Sequence, residues 1–432
     1  MATIFKPSKR NARAKRATPA DKGVFELHIE RLADDGRGIA HHNNKVVFVL
    51  GALPGERVQA RVLKRHKRFD EAESVQLLAA SGHRVTPPCS QYGQCGGCQL
   101  QHLAYPEQVE HKRLRLSAII DECVDIEVMA GPPEAYRHRA RLSYRAGHLG
   151  FKAAATHHIV DTAACSVLEP ALNAAIAAVR EPLLHALKQS HQAELLFSLG
   201  EGGRVGLAVE DSRRRSREWS ESLANALLPA VQLYQVRSSD GIWVNDCEPL
   251  RYSSSVSHAL HFTPTDFTQA NRELNTQLVE RSVAWLDAQA GEFVIDYFCG
   301  LGNFSFPLAQ SGASVLAVDA GEEMLARARQ RTQEQALAIE FACADLFESA
   351  QIPLRQASAA LLDPPRAGAR AVCEAIAGSL SMRRVVYVSC DPATLARDLA
   401  ILCEAGFEIK KAAMVDMFPH THHMESLILL ER

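Results

Sequence analysis

From about residue 266 to the C-terminus, short apolar runs alternate with helical stretches, and that alternation leaves few folds open. Runs rich in β-branched residues fall at 293–298, 314–318, 339–342, 359–362, 384–389, 408–415 and 426–430. Helical spacing fills most of the gaps, as over 322–335 and 394–404. Strands joined by helices predict a doubly wound, Rossmann-like α/β sheet. Such a sheet binds its ligands in a crevice beyond the carboxyl ends of its strands. No helix separates the last two runs, so these are expected to form a hairpin.

The residues at those strand tips carry chemistry. Asp296 precedes Phe298, Cys299, Gly300, Leu301, Gly302 and Asn303, a glycine loop after the first strand. Asp319 ends the second strand, about where ribose hydroxyls are read, and Asp345 follows the third and suits an adenine edge. The loop lacks the full G-x-G-x-x-G fingerprint, which argues against a dinucleotide. Asp296 beside the glycines repels a pyrophosphate and suits an amino group. S-adenosylmethionine meets these demands: an adenosine, a cation and no phosphate. Cys390 stands at the tip of Val385–Ser389, placed as a nucleophile facing the cofactor. Asp363, in Asp363-Pro364-Pro365-Arg366, sits at the same edge and can accept hydrogen bonds from a base. Glu425 precedes the last strand and returns to the crevice of Cys390 as a general base. His420, His422 and His423 beside it leave a metal site open as an alternative.

A second thiol group lies far upstream. Cys89-x5-Cys95-x2-Cys98 is set among Gly93, Gly96 and Gly97, with Cys165 downstream. Three clustered thiolates and a distant fourth suit a cubane iron–sulfur cluster, and Cys₄ also suits zinc. Cys123 rivals Cys165 as fourth ligand. Cys123, Cys247, Cys343, Cys373 and Cys403 read as core residues. The chain has eleven cysteines, no apolar run long enough for a bilayer and no secretory h-region, so a reducing, cytoplasmic setting is expected.

Residues 1–20 read as a basic, disordered tail carrying Lys6, Lys9, Arg10, Arg13, Lys15 and Arg16. Over 21–82, about five short alternating strands suggest a small β-barrel of the OB kind. Residues 83–265 read as an α+β domain with the cysteine loop, a helix over 105–120 and an antiparallel sheet. Residues 266–432 hold the doubly wound sheet. Net charge is only −2, yet basic residues cluster at 61–68, 137–145 and 213–217 besides the tail. Together these predict a phosphate-tracking surface.

The segment from Phe267 to the end resembles the RNA uracil-C5 methyltransferases. The signatures are Phe267-Thr268-Gln269-Ala270-Asn271, the Asp296-to-Phe304 loop, Asp363-Pro364-Pro365-Arg366, Ser389-Cys390-Asp391-Pro392 and the Glu425 tail. Arg366 stands where amino-group methyltransferases usually carry an aromatic residue, against that chemistry. With its front half, the chain is similar to the branch acting on 23S rRNA, and residues 21–82 to a TRAM domain. The resemblance implies a class I methyltransferase fold, S-adenosylmethionine, Cys390 as nucleophile and Glu425 as base. It implies that Gln269, Phe298, Asn303, Asp319 and Asp363 line the cofactor or base pocket. It favours a [4Fe-4S] cluster on Cys89, Cys95, Cys98 and Cys165 over zinc. The expected partner is 23S rRNA, with no membrane and no stable protein partner. A tRNA substrate, or a non-catalytic RNA-binding assembly factor, are the alternatives. A radical methylthiotransferase is opposed by the cysteine spacing.

Overall fold

The computed structural model describes residues 23–120, 124–154, 156, 158–255, 258–348 and 352–432. The basic tail and Cys123 lie outside the described residues. The chain divides into two compact units, Met1–Arg84 and Val85–Arg432.

In the first unit, β1 (Val24–His28), β2 (Arg31–Leu32), β3 (Gly38–His42), β4 (Lys45–Leu50), β5 (Arg57–Arg65) and β6 (Phe69–Ala79) form one sheet in the order β1-β5-β6-β4-β3-β2. Six strands stand where about five are predicted, because Arg31–Leu32 is too short to show a period. The Glu30 N–H reaches the Ile39 carbonyl (2.8 Å), bringing the two ends of the sheet together into an OB-like barrel. Alternate residues Val58, Ala60 and Val62 of β5 are buried, the first two in a core with Leu27, Ile29, Val47 and Val49. The β5–β6 hairpin carries Lys64, Arg65, Lys67 and Arg68, all exposed.

The second unit opens with the cysteine loop, α1 (Tyr105–Ser117) and β7 (Ile126–Met129). Next come β8 (Arg139–Arg145), β9 (His148–Lys152), β10 (Ile159–Asp161), α2 (Pro170–Leu187), β11 (Gln192–Leu199), β12 (Val205–Asp211), α3 (Arg217–Leu227), β13 (Gln232–Ser238) and β14 (Gly241–Val244). They build a seven-stranded sheet, β10-β9-β8-β11-β12-β13-β14. It is antiparallel except between β12 and β13, which α3 joins as a crossover. A small hairpin follows, β15 (Leu250–Ser255) with β16 (His258–Phe262).

The C-terminal region runs α4 (Arg272–Leu286), β17 (Phe293–Tyr297), α5 (Ser305–Gln310), β18 (Ser314–Asp319), α6 (Glu322–Gln335), β19 (Ile339–Cys343), β20 (Ala359–Leu362), α7 (Arg370–Gly378), β21 (Arg384–Ser389), α8 (Pro392–Glu404), β22 (Glu408–Val415) and β23 (Glu425–Glu431). The sheet order is β19-β18-β17-β20-β21-β23-β22-β7. Strands β17 to β21 are parallel; β17, β18, β20 and β21 are largely buried, which explains their continuous apolar runs, while β19 is a partly exposed edge. Val385 and Tyr387 enter one core, Val386 and Val388 the other. The last two strands form the expected hairpin. The eighth strand is a finding of the structure. Strand β7, which precedes the central sheet in sequence, pairs in parallel with β22, and Leu116 and Ile120 join the core of one face. The stretch around α1 and β7 therefore packs with the C-terminal sheet.

Candidate active site

Strand β21 ends at Ser389 and α8 begins at Pro392, so Cys390 lies in a two-residue connection. Asp391 caps α8, its Oδ1 accepting the Ala393 and Thr394 N–H groups (3.1 and 2.9 Å). Proline occupies the first helical turn, where its missing N–H costs nothing. Ser389 Oγ closes the turn from the strand side, accepting the Asp391 N–H (3.3 Å). The cysteine is thus fixed at the carboxyl edge of the sheet, beside a helix N-terminus.

Glu425 is the first residue of β23 and is buried. Ser389 pairs with Ser426 in the last rung of the β21–β23 ladder, so Cys390 and Glu425 flank the end of that ladder. Asp363 follows β20 on the adjoining strand. Its Oδ2 accepts a hydrogen bond from Gln269 Nε2 (3.3 Å), and Gln269 is itself buried. The Asp363–Ala369 loop is held to α8 through Asp398, which accepts from the Ala369 N–H (2.7 Å) and from Tyr387 Oη (2.6 Å). Thr394 Oγ1 donates to the Arg366 carbonyl (3.3 Å). Asp398, Tyr387 and Thr394 position the site without a sequence signal beyond helical periodicity.

The electrostatics are acidic. Burial pushes the Cys390 thiol up to about 12; the Glu425 and Asp363 carboxylates add to this, and the Arg366 guanidinium opposes it. The polar or positive surroundings expected for a reactive thiol are therefore supplied only in part, by Arg366 and the α8 N-terminus. Burial, with Asp363 adding, drives the Glu425 carboxyl well above the carboxylate range. Asp363 is raised by burial to about 7, against the Gln269 hydrogen bond. It is partly open to solvent, yet protein encloses it on its other sides.

The glycine loop lies two strands away. Phe298, Gly300 and Gly302 all have positive φ (64°, 53° and 86°). A Cβ on Gly302 would meet the Phe306 ring at 2.6 Å, whereas one on Gly300 would point into open space. Asp319 braces the turn, its Oδ2 accepting the Gly300 N–H (3.0 Å) and its Oδ1 the Gly321 N–H (2.7 Å). Asp296 is fully buried. Ser305 Oγ donates to its Oδ2 (2.5 Å), and its Oδ1 has no protein partner. Burial raises it to about 8; the Ser305 bond opposes, and the Asp363 and Asp319 carboxylates add. An orphaned buried acceptor and an open glycine face suit a ligand bearing an amino cation. Asn303 exchanges two 3.0 Å bonds with Asn275, a partner the sequence did not single out. Asp345 is exposed and accepts the N–H of Phe347 in its own turn (2.9 Å). The Phe347 ring lies 6.0 Å from that of Phe298, an aromatic pair without a sequence signal.

The His422 and His423 rings lie 4.3 Å apart, but the three tail histidines form no metal-ligand set among the described residues. His420 Nδ1 meets Gln108 Nε2 (3.2 Å), His422 Nδ1 meets Gln99 Oε1 (3.2 Å), and His423 Nε2 meets Arg366 Nη2 (3.3 Å). Cys89, Cys95, Cys98 and Cys165 are near enough that the other three thiols each raise Cys98, beyond the larger effect of burial. Their sulfurs have donors: the Gly97 N–H lies 3.4 Å from Cys95 Sγ, and the Val167 and Leu168 N–H groups bond Cys165. Among the described residues, no three His, Cys, Asp or Glu side chains form a closed ligand set. The ten described cysteines are free thiols. Cys373 is buried and Cys247 partly so. Cys343, ending edge strand β19, and Cys403, at the end of α8, are exposed rather than in the core; Cys299 is buried instead. The basic clusters also change meaning. Arg213 bonds the Gln189 carbonyl, while Arg214, Arg215 and Arg217 pair with Asp240, Asp211 and Glu221; of these only the Arg215–Asp211 pair is buried.

A cavity of about 890 Å³, lined by Glu127, Trp285 and Lys411 among others, lies at the β7–β22 edge and holds none of this chemistry. No described helix is long and apolar enough to cross a membrane.

The sheet order and the strand-tip loops define a class I methyltransferase fold joined to an OB-like barrel. Residues 254–432 match the tRNA (Uracil-5-)-methyltransferase family model, and residues 23–75 the TRAM domain. The 23S rRNA (uracil(1939)-C(5))-methyltransferase RlmD of Chromohalobacter salexigens is 38% identical, over 99% of this chain and 94% of the relative. The RlmD of Vibrio campbellii is 34% identical over the whole of both chains. A crystal structure of Pyrococcus abyssi tRNA (uracil-54, C5)-methyltransferase with S-adenosyl-L-homocysteine has the same fold. Its TM-score is 0.73 at 24% identity, covering 95% of this chain and all of that one. The chain belongs to the RlmD family of RNA uracil-C5 methyltransferases.

Proposed function

We propose that this protein transfers a methyl group from S-adenosylmethionine to C5 of a uridine in 23S rRNA, through a covalent bond between Cys390 and C6. The observation that carries the reading is that Cys390 and Glu425 flank the last pair of the β21–β23 ladder, Ser389 with Ser426, close enough for the Glu425 and Asp363 carboxylates to raise the Cys390 thiol, with Gln269 bonded to Asp363. Uracil C5 is too weak a nucleophile to take a methyl group unaided. Cys390, as thiolate, adds to C6 and makes C5 enolate-like. When bound, S-adenosylmethionine would supply an electrophilic methyl to C5, its S–CH3 bond breaking with the electron pair kept by sulfur and S-adenosylhomocysteine leaving. Glu425 then takes the C5 proton, the C6–S bond breaks, and its electron pair returns to Cys390. Gln269 and Asp363 hold the base. Asp296, Phe298, Asn303, Asp319 and Asp345 form the cofactor side, Asp296 with its free oxygen for the amino group.

The four cysteines 89, 95, 98 and 165 hold a [4Fe-4S] cluster in this reading, with zinc as the alternative; the N–H donors to Cys95 and Cys165 sulfur support thiolate ligation. Iron and acid-labile sulfide assays on anaerobically purified protein should find about four of each per chain. Zinc alone would reverse the assignment. The working division is a basic tail (1–20), an RNA-binding TRAM barrel (21–82), a central domain (83–265) and the methyltransferase domain (266–432), acting in the cytoplasm.

The test is methylation with labelled S-adenosylmethionine, offering 23S rRNA and tRNA separately, since the matched family model and the archaeal neighbour carry tRNA names. Label at a 23S uridine is expected, and label in tRNA alone would select the other substrate. Cys390→Ala should abolish transfer while cofactor binding persists in calorimetry. Glu425→Gln should accumulate a denaturation-resistant protein–RNA adduct; normal turnover by that variant would remove Glu425 as base.

A further inference from the structure

Helix α1 buries a polar stripe. Gln108, Lys112 and Leu116, at i, i+4 and i+8, are its buried residues. Burying an amide and an ammonium is costly unless every bond is made. Here the Lys112 partners and part of those of Gln108 lie some three hundred residues away, in the loop between β22 and β23 that leads into Glu425. Lys112 Nζ donates to Asp416 Oδ1 (2.6 Å) and to the Phe418 carbonyl (3.0 Å). Gln108 Oε1 accepts the His420 N–H (2.9 Å), while its Nε2 donates to the Leu100 and Leu103 carbonyls (3.0 and 2.8 Å). The Gln99 and Leu100 N–H groups both donate to the His420 carbonyl (2.9 Å each). Tyr136 Oη donates to the Pro419 carbonyl (3.2 Å) and Arg115 Nη1 to the His422 carbonyl (2.6 Å). His420 is a non-glycine residue at φ 66°, a conformation that surrounding bonds must impose.

The hairpin does not need this to form. Strand β23 is already registered by ladders to β21 and β22, and these end at Ser389↔Ser426 and Val415↔Glu425. Glu425 therefore sits at the end of the ladder, where strands fray, and what precedes it sets its place. We infer that the polar face of α1 is a clamp on residues 416–424, and that Gln108 and Lys112 are positioning residues for Glu425. The inference rests on the reading of Glu425 as base.

The test uses full-length Gln108→Leu, an apolar side chain of similar size, with Glu425→Gln as control. A displaced base slows proton removal after the cysteine bond has formed. The variant should keep its KM, lose about 10²-fold in kcat, and carry during turnover a raised fraction of denaturation-resistant protein–RNA adduct. A role in stability alone lowers the active fraction without raising the adduct per active molecule. Arg115→Met, which removes the bond to the His422 carbonyl, provides the same measurement should Gln108→Leu not fold. If Glu425→Gln traps the adduct while both clamp variants that fold turn over without it, the clamp is overturned. If Glu425→Gln itself traps nothing, the base assignment has failed instead.

Discussion

At the residue scale the cleft is defined by unbalanced acidity. Asp296, Asp363 and Glu425 all hold their protons more tightly than ordinary carboxylates, because burial strips their water and the Asp363 carboxylate adds to the cost of the other two. A cation is the ligand that reverses this. At pH 6 the ligand-free protein keeps Asp296 (about 8) and Asp363 (about 7) protonated, so binding a sulfonium must expel protons. Affinity for S-adenosylmethionine should therefore strengthen as pH rises through 7 to 8 and level off above, with proton release visible by calorimetry in buffers of different ionisation enthalpy. A flat profile would refute the coupling. The sign for stability is opposite. Folded-state values above the unfolded one mean stability present below about pH 4 and lost as pH rises towards 8, so the ligand-free melting temperature should drift down across that window. The positions of Cys390, Asp363 and Glu425 were legible because a strand tip is a local feature. Their mutual charge was not, since it depends on three strands meeting.

At the element scale, conformation and packing act on single turns. Gly302 combines a left-handed backbone with a ring where its Cβ would go. Gly302→Ala should cost at least about 1–2 kcal/mol from the backbone alone and weaken cofactor binding, read by thermal unfolding with and without ligand. A variant of unchanged stability would show that the turn rearranges freely. The strands and helices of the C-terminal sheet are nearly all readable from periodicity, and Ala359–Leu362, Arg384–Ser389 and Glu408–Val415 match residue for residue. Strand β7 was not readable as part of that sheet, because four residues have too little pattern to choose a partner. The parallel step between β12 and β13 was equally silent, since pairing direction leaves no periodic trace.

At the scale of the molecule, a chain of net charge −2 is proposed to hold RNA, so distribution must do what total charge does not. Of the described clusters, the 213–217 run has acceptors for each of its arginines, with Arg215 buried and the other three at the surface, while the β5–β6 hairpin presents Lys64, Arg65, Lys67 and Arg68 to solvent. Replacing those four by Gln should lower RNA affinity and flatten its dependence on salt, by about 0.7 to 0.9 in log–log slope for each phosphate no longer neutralised. An unaltered slope would place the RNA arm elsewhere. Read in one dimension, the chain already declares a doubly wound sheet, a barrel before it, and the thiol and carboxylates of the crevice, because periodicity and strand ends are properties of neighbouring residues. Packing alone decided which arginines stay free, that the cleft is acidic, and that Gln108 and Lys112 face inward. Polar residues four apart on a helix look like a solvated face, and only a loop three hundred positions later, supplying carbonyls and a carboxylate, turns that face into the interior.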